Sequence, residues 1–409
     1  MVFEKYADQL YRCNRCRQCR YVTGKPLALI DPATGAPREN AVMPSCPSGF
    51  LNKFAAYYAS GKLMVAKRIL EGLHQIDRKT AEIFYTCSLC GACDYQCSLN
   101  LADSESPNKL EFRPSEIFEE IREDLADLGF GPMPNHIKFA ESIRQNHNPY
   151  NESHKDRLVW AEGRNSKLPS NGNVIYFVGC TTAYRNPAIA KATVNIFERA
   201  GIEYGVLQSK GYSNEWCCGS PLLRTGQRKL AEEIMRHNVK AIEESGADTL
   251  VTSCAGCYAT IKRDYAKVFK DLSFEVVHSS EFIQRLIRNG KLKPKQVDKK
   301  VTYHDPCHLG RHMGLYDAPR EVLKAIPGIQ FVEMPRTRKN AWCCGGGGGM
   351  MSGFPEMASK TADVRIQEAM DIGANAIVST CPFCEVNLTK AAEIFHRDVS
   401  IMDLAELLV

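Results

Sequence analysis

The C-terminal part of the chain alternates short apolar runs with stretches of helical spacing. Strand-length apolar runs lead into four cysteines: Cys180, Cys254, Cys307 and Cys381. Helix-like stretches follow them, such as NPAIAKATVNIFERAG and YDAPREVLKAIPG. Strands that alternate with helices predict parallel βαβ units. Ligands bind at the carboxyl ends of such strands, so we expect an α/β fold in which these four cysteines share one site.

This region is also an internal duplication. Five cysteines recur at an offset of 126 or 127 residues, and SGADTLVTSCAGCY matches DIGANAIVSTCPFCE in the flanking text. The first set is Cys180, Cys217, Cys218, Cys254 and Cys257, and the second is Cys307, Cys343, Cys344, Cys381 and Cys384. Such self-similarity indicates one structural unit that occurs twice. We place the first unit at about 171–290 and the second at about 291–409.

The N-terminal half differs in pattern. Residues 1–100 carry eight cysteines, and the segment FLNKFAAYYASGKLMVAKRILEGL between them has helical spacing. Residues 101–170 carry no cysteine and contain PSEIFEEIREDLADLGF, a helix predicted to begin at Pro114 and Ser115 and to end at Gly129. We therefore expect an α-helical two-cluster module over 1–100 and a helical linker over 101–170.

The one feature of the composition that adds to the predicted function is the number of cysteines. The chain has eighteen cysteines among 409 residues, in tight groups, and its N-terminus has no apolar signal segment. That combination favours metal ligands over disulfides and a reducing, cytoplasmic location. The apolar runs are far shorter than a membrane span. The formal net charge of +5 would be offset by anionic metal clusters, which makes nucleic-acid binding a weak interpretation.

The first eight cysteines have the spacing of a two-cubane ferredoxin. Cys87, Cys90, Cys93 and Cys97 form C-x2-C-x2-C-x3-C, with Ser98 where proline is usual. Cys13, Cys16 and Cys19 form a second run, whose fourth partner is displaced to Cys46, before Pro47. Because the fourth cysteine of such a run ligates the other cluster, we predict two groups. One is Cys13, Cys16, Cys19 and Cys97; the other is Cys46, Cys87, Cys90 and Cys93.

Two alternatives stay open for this module. Structural zinc is one, although zinc usually takes two cysteine pairs and not runs of three. The other concerns the arginines that interleave the first run, Arg12, Arg15, Arg17 and Arg20. They either compensate the charge of an anionic cluster or form a surface on which a partner docks.

The duplicated units resemble a known family. Cys217-Cys218-Gly219 and Cys343-Cys344-Gly345, with their flanking cysteines, are similar to the two CCG motifs of heterodisulfide reductase catalytic subunits and of glycolate oxidase iron–sulfur subunits. With the cubane module ahead of them, the whole order resembles the fused, D-type heterodisulfide reductase subunit. The resemblance implies a noncubane [4Fe-4S] cluster on each complete motif, with the two clusters facing each other.

On this basis two cubane and two noncubane [4Fe-4S] clusters use all eighteen cysteines. Gly345 to Gly349 follow the second motif, and glycine allows close backbone approach and free N–H groups beside sulfur. The alternative is a flexible loop.

His304 and His308 flank Cys307. Either could deliver the protons that disulfide reduction requires, or pack locally.

The sequence thus predicts an iron–sulfur oxidoreductase subunit that passes electrons between cubane and noncubane clusters. Partners are expected to be other redox subunits carrying a flavin, a cytochrome or a dehydrogenase, and a cytochrome partner would bring the chain to a membrane. The resemblance implies a disulfide as substrate, although the sequence itself identifies none. The alternative is a pure electron wire in a flavin dehydrogenase or benzoyl-CoA reductase type of complex. No G-x-G-x-x-G motif indicates a nucleotide site in this chain.

Overall fold

The structure is a computed structural model that describes residues 3–22, 29–30, 37–38, 43–100, 107–163, 168–209 and 211–409. Its N-terminal part is helical apart from a small hairpin, as the spacing predicts. The hairpin pairs β1 (Leu29–Ile30) with β2 (Pro37–Arg38). The helices are α1 (Ala7–Arg12), α2 (Pro47–Asn52), α3 (Ala59–Leu70), α4 (Arg78–Tyr85) and α5 (Ala92–Tyr95).

Two helices connect this part to the duplicated region. Helix α6 (Pro114–Asp127) has a proline in its first turn, where the missing N–H costs nothing. Its predicted start at Pro114 is confirmed. Helix α7 (Pro134–Asn146) begins in the same way. Short 3₁₀ helices cover Glu4–Tyr6, Gln18–Arg20, Ala55–Tyr57, Ser98–Asn100, Pro107–Lys109, His154–Ala161, Arg338–Asn340 and Ala405–Leu408.

The first repeat is a four-stranded parallel sheet in the order β4-β3-β7-β8. Its strands are β3 (Val174–Phe177), β4 (Tyr204–Val206), β7 (Thr249–Thr252) and β8 (Glu275–His278), and a hairpin of β5 (Gln208–Ser209) and β6 (Tyr212–Ser213) precedes the paired cysteines. Its helices are α8 (Cys180–Tyr184), α9 (Pro187–Arg199), α10 (Ser220–Leu223), α11 (Arg228–Glu244), α12 (Ala255–Ala259), α13 (Ala266–Val268) and α14 (Ser279–Arg288), with a π-helical turn at Thr260–Tyr265.

The second repeat has the same topology, in the order β10-β9-β11-β12, again all parallel. Its strands are β9 (Lys299–Tyr303), β10 (Ile329–Phe331), β11 (Ala376–Ser379) and β12 (Ser400–Asp403). Its helices are α15 (Asp317–Ala325), α16 (Met350–Gly353), α17 (Pro355–Asp371) and α18 (Pro382–Ile394). The strands correspond one to one between the copies, so the predicted α/β duplication is confirmed.

The two repeats pack on each other through helices that lie between their sheets. Ile196 of α9, Leu286 of α14 and Leu323 of α15 belong to one buried apolar cluster. Burying such side chains contributes roughly 1.5–3 kcal/mol each. This interface fixes the two sheets relative to each other, and with them the strand ends that carry the cysteines. Within the described ranges, no helix is long and apolar enough to cross a membrane.

Candidate metal centre

The carboxyl ends of both sheets open into one cavity of about 330 Å³. Nine cysteines line it: Cys180, Cys217, Cys218, Cys254 and Cys257 from the first repeat, and Cys307, Cys344, Cys381 and Cys384 from the second. All nine side chains are buried. The convergence of the four strand-end cysteines follows from the parallel topology, since each lies a few residues beyond its strand.

The two repeats make direct sulfur contact inside this cavity. A hydrogen bond from Cys254 of the first repeat, together with one from Cys384, holds the pKa of Cys381 well below its usual range despite burial. Cys218 and Cys344, the second cysteines of the two pairs, also have strongly lowered pKa values, first because of hydrogen bonds from Cys217 and Cys343 respectively. The same contacts raise the pKa values of the partner thiols Cys217, Cys254 and Cys384 well above the usual range, so the sulfurs of the two repeats form one hydrogen-bonded group.

In the first repeat a buried ion pair organises the cysteine at the start of α8. The Arg157 guanidinium lies 3.4 Å from Cys180 Sγ and pairs with Glu215. The Glu215 carboxylate accepts the backbone N–H groups of Val178 and Gly179 at 2.7 and 2.8 Å. Burial acts to raise the pKa of Cys180, but the hydrogen bond with Cys217 and the Arg157 charge outweigh it and lower that pKa. Arg157 therefore stabilises negative charge on this sulfur.

In the second repeat the start of the glycine run places backbone N–H groups beside the sulfurs, as the sequence predicts. The Gly345 and Gly346 N–H groups point to Cys343 Sγ and Cys344 Sγ at 3.3 and 3.5 Å. Gly345 has φ 87°, and a Cβ there would lie 2.7 Å from the Ala358 carbonyl oxygen. Both observations favour glycine over any other residue at Gly345. The run is therefore a packed turn against the sulfurs.

The two histidines occupy different places. His308 lines the cavity, and its Nδ1 lies 3.4 Å from Cys307 Sγ. His304 is not among the lining residues; its Nδ1 accepts from Arg365 Nε at 3.3 Å, and a ring nitrogen lies within 4.8 Å of the Cys344 and Cys384 sulfurs. Burial lowers the pKa of each to about 3. Of the two histidines, His308 is therefore the one whose side chain lines the cavity.

Two further cysteine groups lie in the helical module, each around its own small cavity of about 20 Å³. Cys13, Cys16, Cys19 and Cys97 line one, and Cys46, Cys87, Cys90 and Cys93 line the other. The described lining residues include neither a carboxylate nor an imidazole. This donor set of four thiols suits a four-iron cluster, one cysteine to each iron. The grouping coincides with the predicted exchange of fourth ligands; which sulfur binds which iron stays a prediction.

Cys343 is the one cysteine of the second repeat that does not line the shared cavity. It hydrogen-bonds the Cys90 thiol, and this contact is the first cause of the strongly raised pKa of Cys90. The Arg311 guanidinium, 2% exposed, sits beside the pair and donates to the carbonyls of Cys90 and Ala341 at 2.7 and 2.6 Å. The second cysteine group of the helical module therefore abuts the second repeat.

Sequence reasoning missed the buried cations that surround the sulfurs. Lys62, 1% exposed, lines the cavity of the Cys87 group and donates to the Tyr57 carbonyl at 2.8 Å. Its burial lowers its pKa to about 8. The sequence did contain an indication of this buried cation, since Lys62 interrupts the apolar face formed by Ala66 and Ile69 on α3. A lone cation on an apolar helix face indicates a buried anionic partner.

Comparison with known proteins agrees with this geometry. Residues 174–262 and 301–389 match the family described as "Cysteine-rich domain" (CCG), and residues 9–101 match "4Fe-4S dicluster domain". A solved hypothetical protein from Helicobacter pylori aligns with a TM-score of 0.54 at 11% identity, covering 85% of this chain and 66% of that one, which is a likeness of fold alone.

Curated relatives extend the match across the chain. The D-type subunit of dihydromethanophenazine:CoB–CoM heterodisulfide reductase from Methanosarcina acetivorans is 40% identical over 78% of this chain and 75% of its own length. Its counterpart in Methanosarcina mazei is 36% identical over 98% of this chain and 93% of its own. EtfAB:quinone oxidoreductase of Syntrophomonas wolfei is 30% identical over 80% of this chain and 46% of its own length. The chain is an iron–sulfur electron-transfer protein and belongs to the family of D-type heterodisulfide reductase subunits.

Proposed function

We propose that this chain is the subunit of a redox complex in which two cubane [4Fe-4S] clusters exchange electrons with two noncubane clusters that together reduce a disulfide. The observation that carries the proposal is the cavity shared by the two repeats. It extends past the cysteines to Phe139, Met351 and Phe383, so its walls are not formed by ligands alone. The clusters themselves would take up part of this cavity, and the apolar walls beyond the cysteines are where a disulfide would bind; a pure electron wire needs no such binding surface.

The reaction takes a disulfide, two electrons and two protons and gives two thiols. The clusters would supply the electrons one at a time. The chain itself excludes water with the apolar walls, holds the sulfurs of both repeats in one cavity, and brings His308 beside them. We assign His308 as the candidate proton relay and leave to His304 a packing role beside Arg365, because only the former lines the cavity. With its pKa lowered, the His308 imidazole would be neutral at pH 7 and would pass on a proton that it receives from solvent, without storing one.

The order of transfer follows from the contacts. The Cys13 group lies at one end and contains the exposed Cys16, whereas the Cys87 group touches the second repeat through Cys90 and Cys343. Electrons would therefore pass from the first group to the second group, then to the second repeat and into the shared cavity, or in reverse. The division of the chain at about 100, 170 and 290 agrees with this order and stays part of the proposal.

Metal analysis tests the cluster inventory. Four clusters of four irons require about sixteen irons per chain. Protein purified without oxygen should give this number by colorimetric iron determination, together with a brown colour and absorbance near 400 nm. A value of about eight would remove the noncubane clusters from the proposal. A colourless protein that holds zinc would remove all four.

Exchange of the fourth ligands has its own test. Cys97 lines the cavity of Cys13, Cys16 and Cys19, although it follows Cys93 in sequence. Replacing Cys97 with serine should therefore change the electron paramagnetic resonance signal of the first cluster and leave that of the Cys87 group as in the wild type. The matched variant Cys46→Ser should do the reverse, because Cys46 lines the other cavity. The same cluster responding to Cys97→Ser and Cys93→Ser would contradict the exchange.

A further inference from the structure

The loop that carries Cys13, Cys16 and Cys19 reaches the surface in a way that the other cysteine loops do not. Cys16 is exposed, whereas each of the other seventeen cysteines is buried or half-buried. Its sulfur lies 3.2 Å from the Ser98 hydroxyl. The edge of the first cysteine group is thus directly accessible to another molecule.

Exposed arginines stand on both sides of Cys16. Arg15 and Arg17 have φ of 58° and 67°, in the left-handed region that costs a non-glycine residue energy. Their backbone is held by the turn around Cys16, whose N–H donates to Asn14 Oδ1 at 3.1 Å. Both arginine side chains are exposed on either side of Cys16 in the chain.

The neighbouring arginines divide between two roles. Arg20 stacks on the Tyr58 ring at 4.5 Å, and Arg12 lies 3.4 Å from the Glu111 carboxylate. Arg15 and Arg17 flank Cys16 as exposed cations, and Arg17 also lines the small cavity of the Cys13 group. In the other cysteine group the lining cation, Lys62, is buried at 1% exposed, whereas Arg15 and Arg17 are exposed. An outward pair of cations instead attracts an anionic partner.

We propose that the surface formed by Arg15, Cys16 and Arg17 is where an acidic redox protein docks and exchanges electrons with the first cluster. The inference rests on the proposed function, since it needs a cluster bound by Cys16. Charge complementarity selects the partner: a small one-electron carrier whose own redox centre lies within an acidic face. Opposite charges around both centres would orient the encounter and raise the association rate by roughly 10- to 1,000-fold at low salt.

The test is stopped-flow reduction of the anaerobic holoprotein by an acidic ferredoxin, with methyl viologen as a second donor that needs no docking surface. The double variant Arg15→Glu/Arg17→Glu should slow reduction by ferredoxin roughly tenfold or more at low salt and leave reduction by viologen as in the wild type. The wild-type rate should fall as salt rises, because the Debye length shrinks to about 8 Å at 0.15 M. The variant should lose this salt dependence.

Lys293 and Lys295 provide the matched control. They are exposed loop cations with the same spacing, in the second repeat. Lys293→Glu/Lys295→Glu should leave both rates unchanged. The docking surface is refuted if the two double variants slow ferredoxin equally, or if neither does. Iron content and the signal of the first cluster, measured in parallel, separate lost docking from a lost cluster; a chain without that cluster would overturn the proposed function itself.

Discussion

Replacing Cys344 with serine should lower the rate of disulfide reduction at least a hundredfold while both cubane signals persist. Cys344 lines the cavity shared by the two repeats and accepts the Gly346 N–H, and hydrogen bonds with Cys343 and Cys384 tie it to its neighbours. Serine offers a poorer ligand for iron, so one of the two facing clusters would be lost or altered. A mechanism that needs both clusters at once cannot tolerate that loss.

The measurement uses anaerobic holoprotein, reduced methyl viologen and a coenzyme heterodisulfide, with viologen oxidation followed by absorbance. Ser352→Ala is the matched control, because Ser352 lines the same cavity without being a thiol. It should retain most of the wild-type rate. Turnover by Cys344→Ser at the wild-type rate would rule out the paired-cluster mechanism. A fully loaded wild type that gives no turnover would favour the electron wire.

The positions of the cysteines could be predicted because two simple rules determine them. Parallel βαβ units bring strand ends to one edge, and this rule alone predicts that Cys180, Cys254, Cys307 and Cys381 converge. The short run of three cysteines forces its fourth partner to come from elsewhere, and the structure brings Cys97 to the Cys13 group. The spacing within a cysteine run is local in sequence, and the βαβ pattern repeats along the chain, so both can be read from the sequence.

The supporting cations could not be predicted in the same way, because their partners are backbone carbonyls far away in sequence. Arg122 lies in the acidic stretch EIREDL and resembles a solvated residue there. Its position on the apolar face of α6, between Phe118 and Leu125, was the available signal. The sequence does not say which carbonyls approach that face, because separate segments supply them only after the repeats have packed.

Arg122 joins the helical module to both repeats, and its loss should destabilise the protein as a whole. The side chain is fully buried. It donates to the carbonyls of Phe84 and Cys87 in the helical module, to Arg224 at 2.7 Å and to Gly348 at 2.8 Å. A Cβ on Gly348 would lie 2.6 Å from the Cys87 carbonyl oxygen, so the segments meet at backbone distance.

Arg122→Met should therefore lower the free energy of unfolding by about 4 kcal/mol, since it leaves several buried carbonyls without donors and removes a cation beside the Cys87 group. The stability of Arg122→Lys should lie between those of the wild type and Arg122→Met, because one ammonium group cannot reach carbonyls on three segments. Denaturant titration of anaerobic holoprotein measures both. Arg68→Met on α3, where the arginine is exposed and bridges Glu71, is the control and should change little. If Arg122→Met and Arg68→Met are equally stable, apolar packing and not the arginine holds the helical module and the repeats together. A loss of stability in Arg122→Met alone would establish that this buried guanidinium joins the helical module to both repeats.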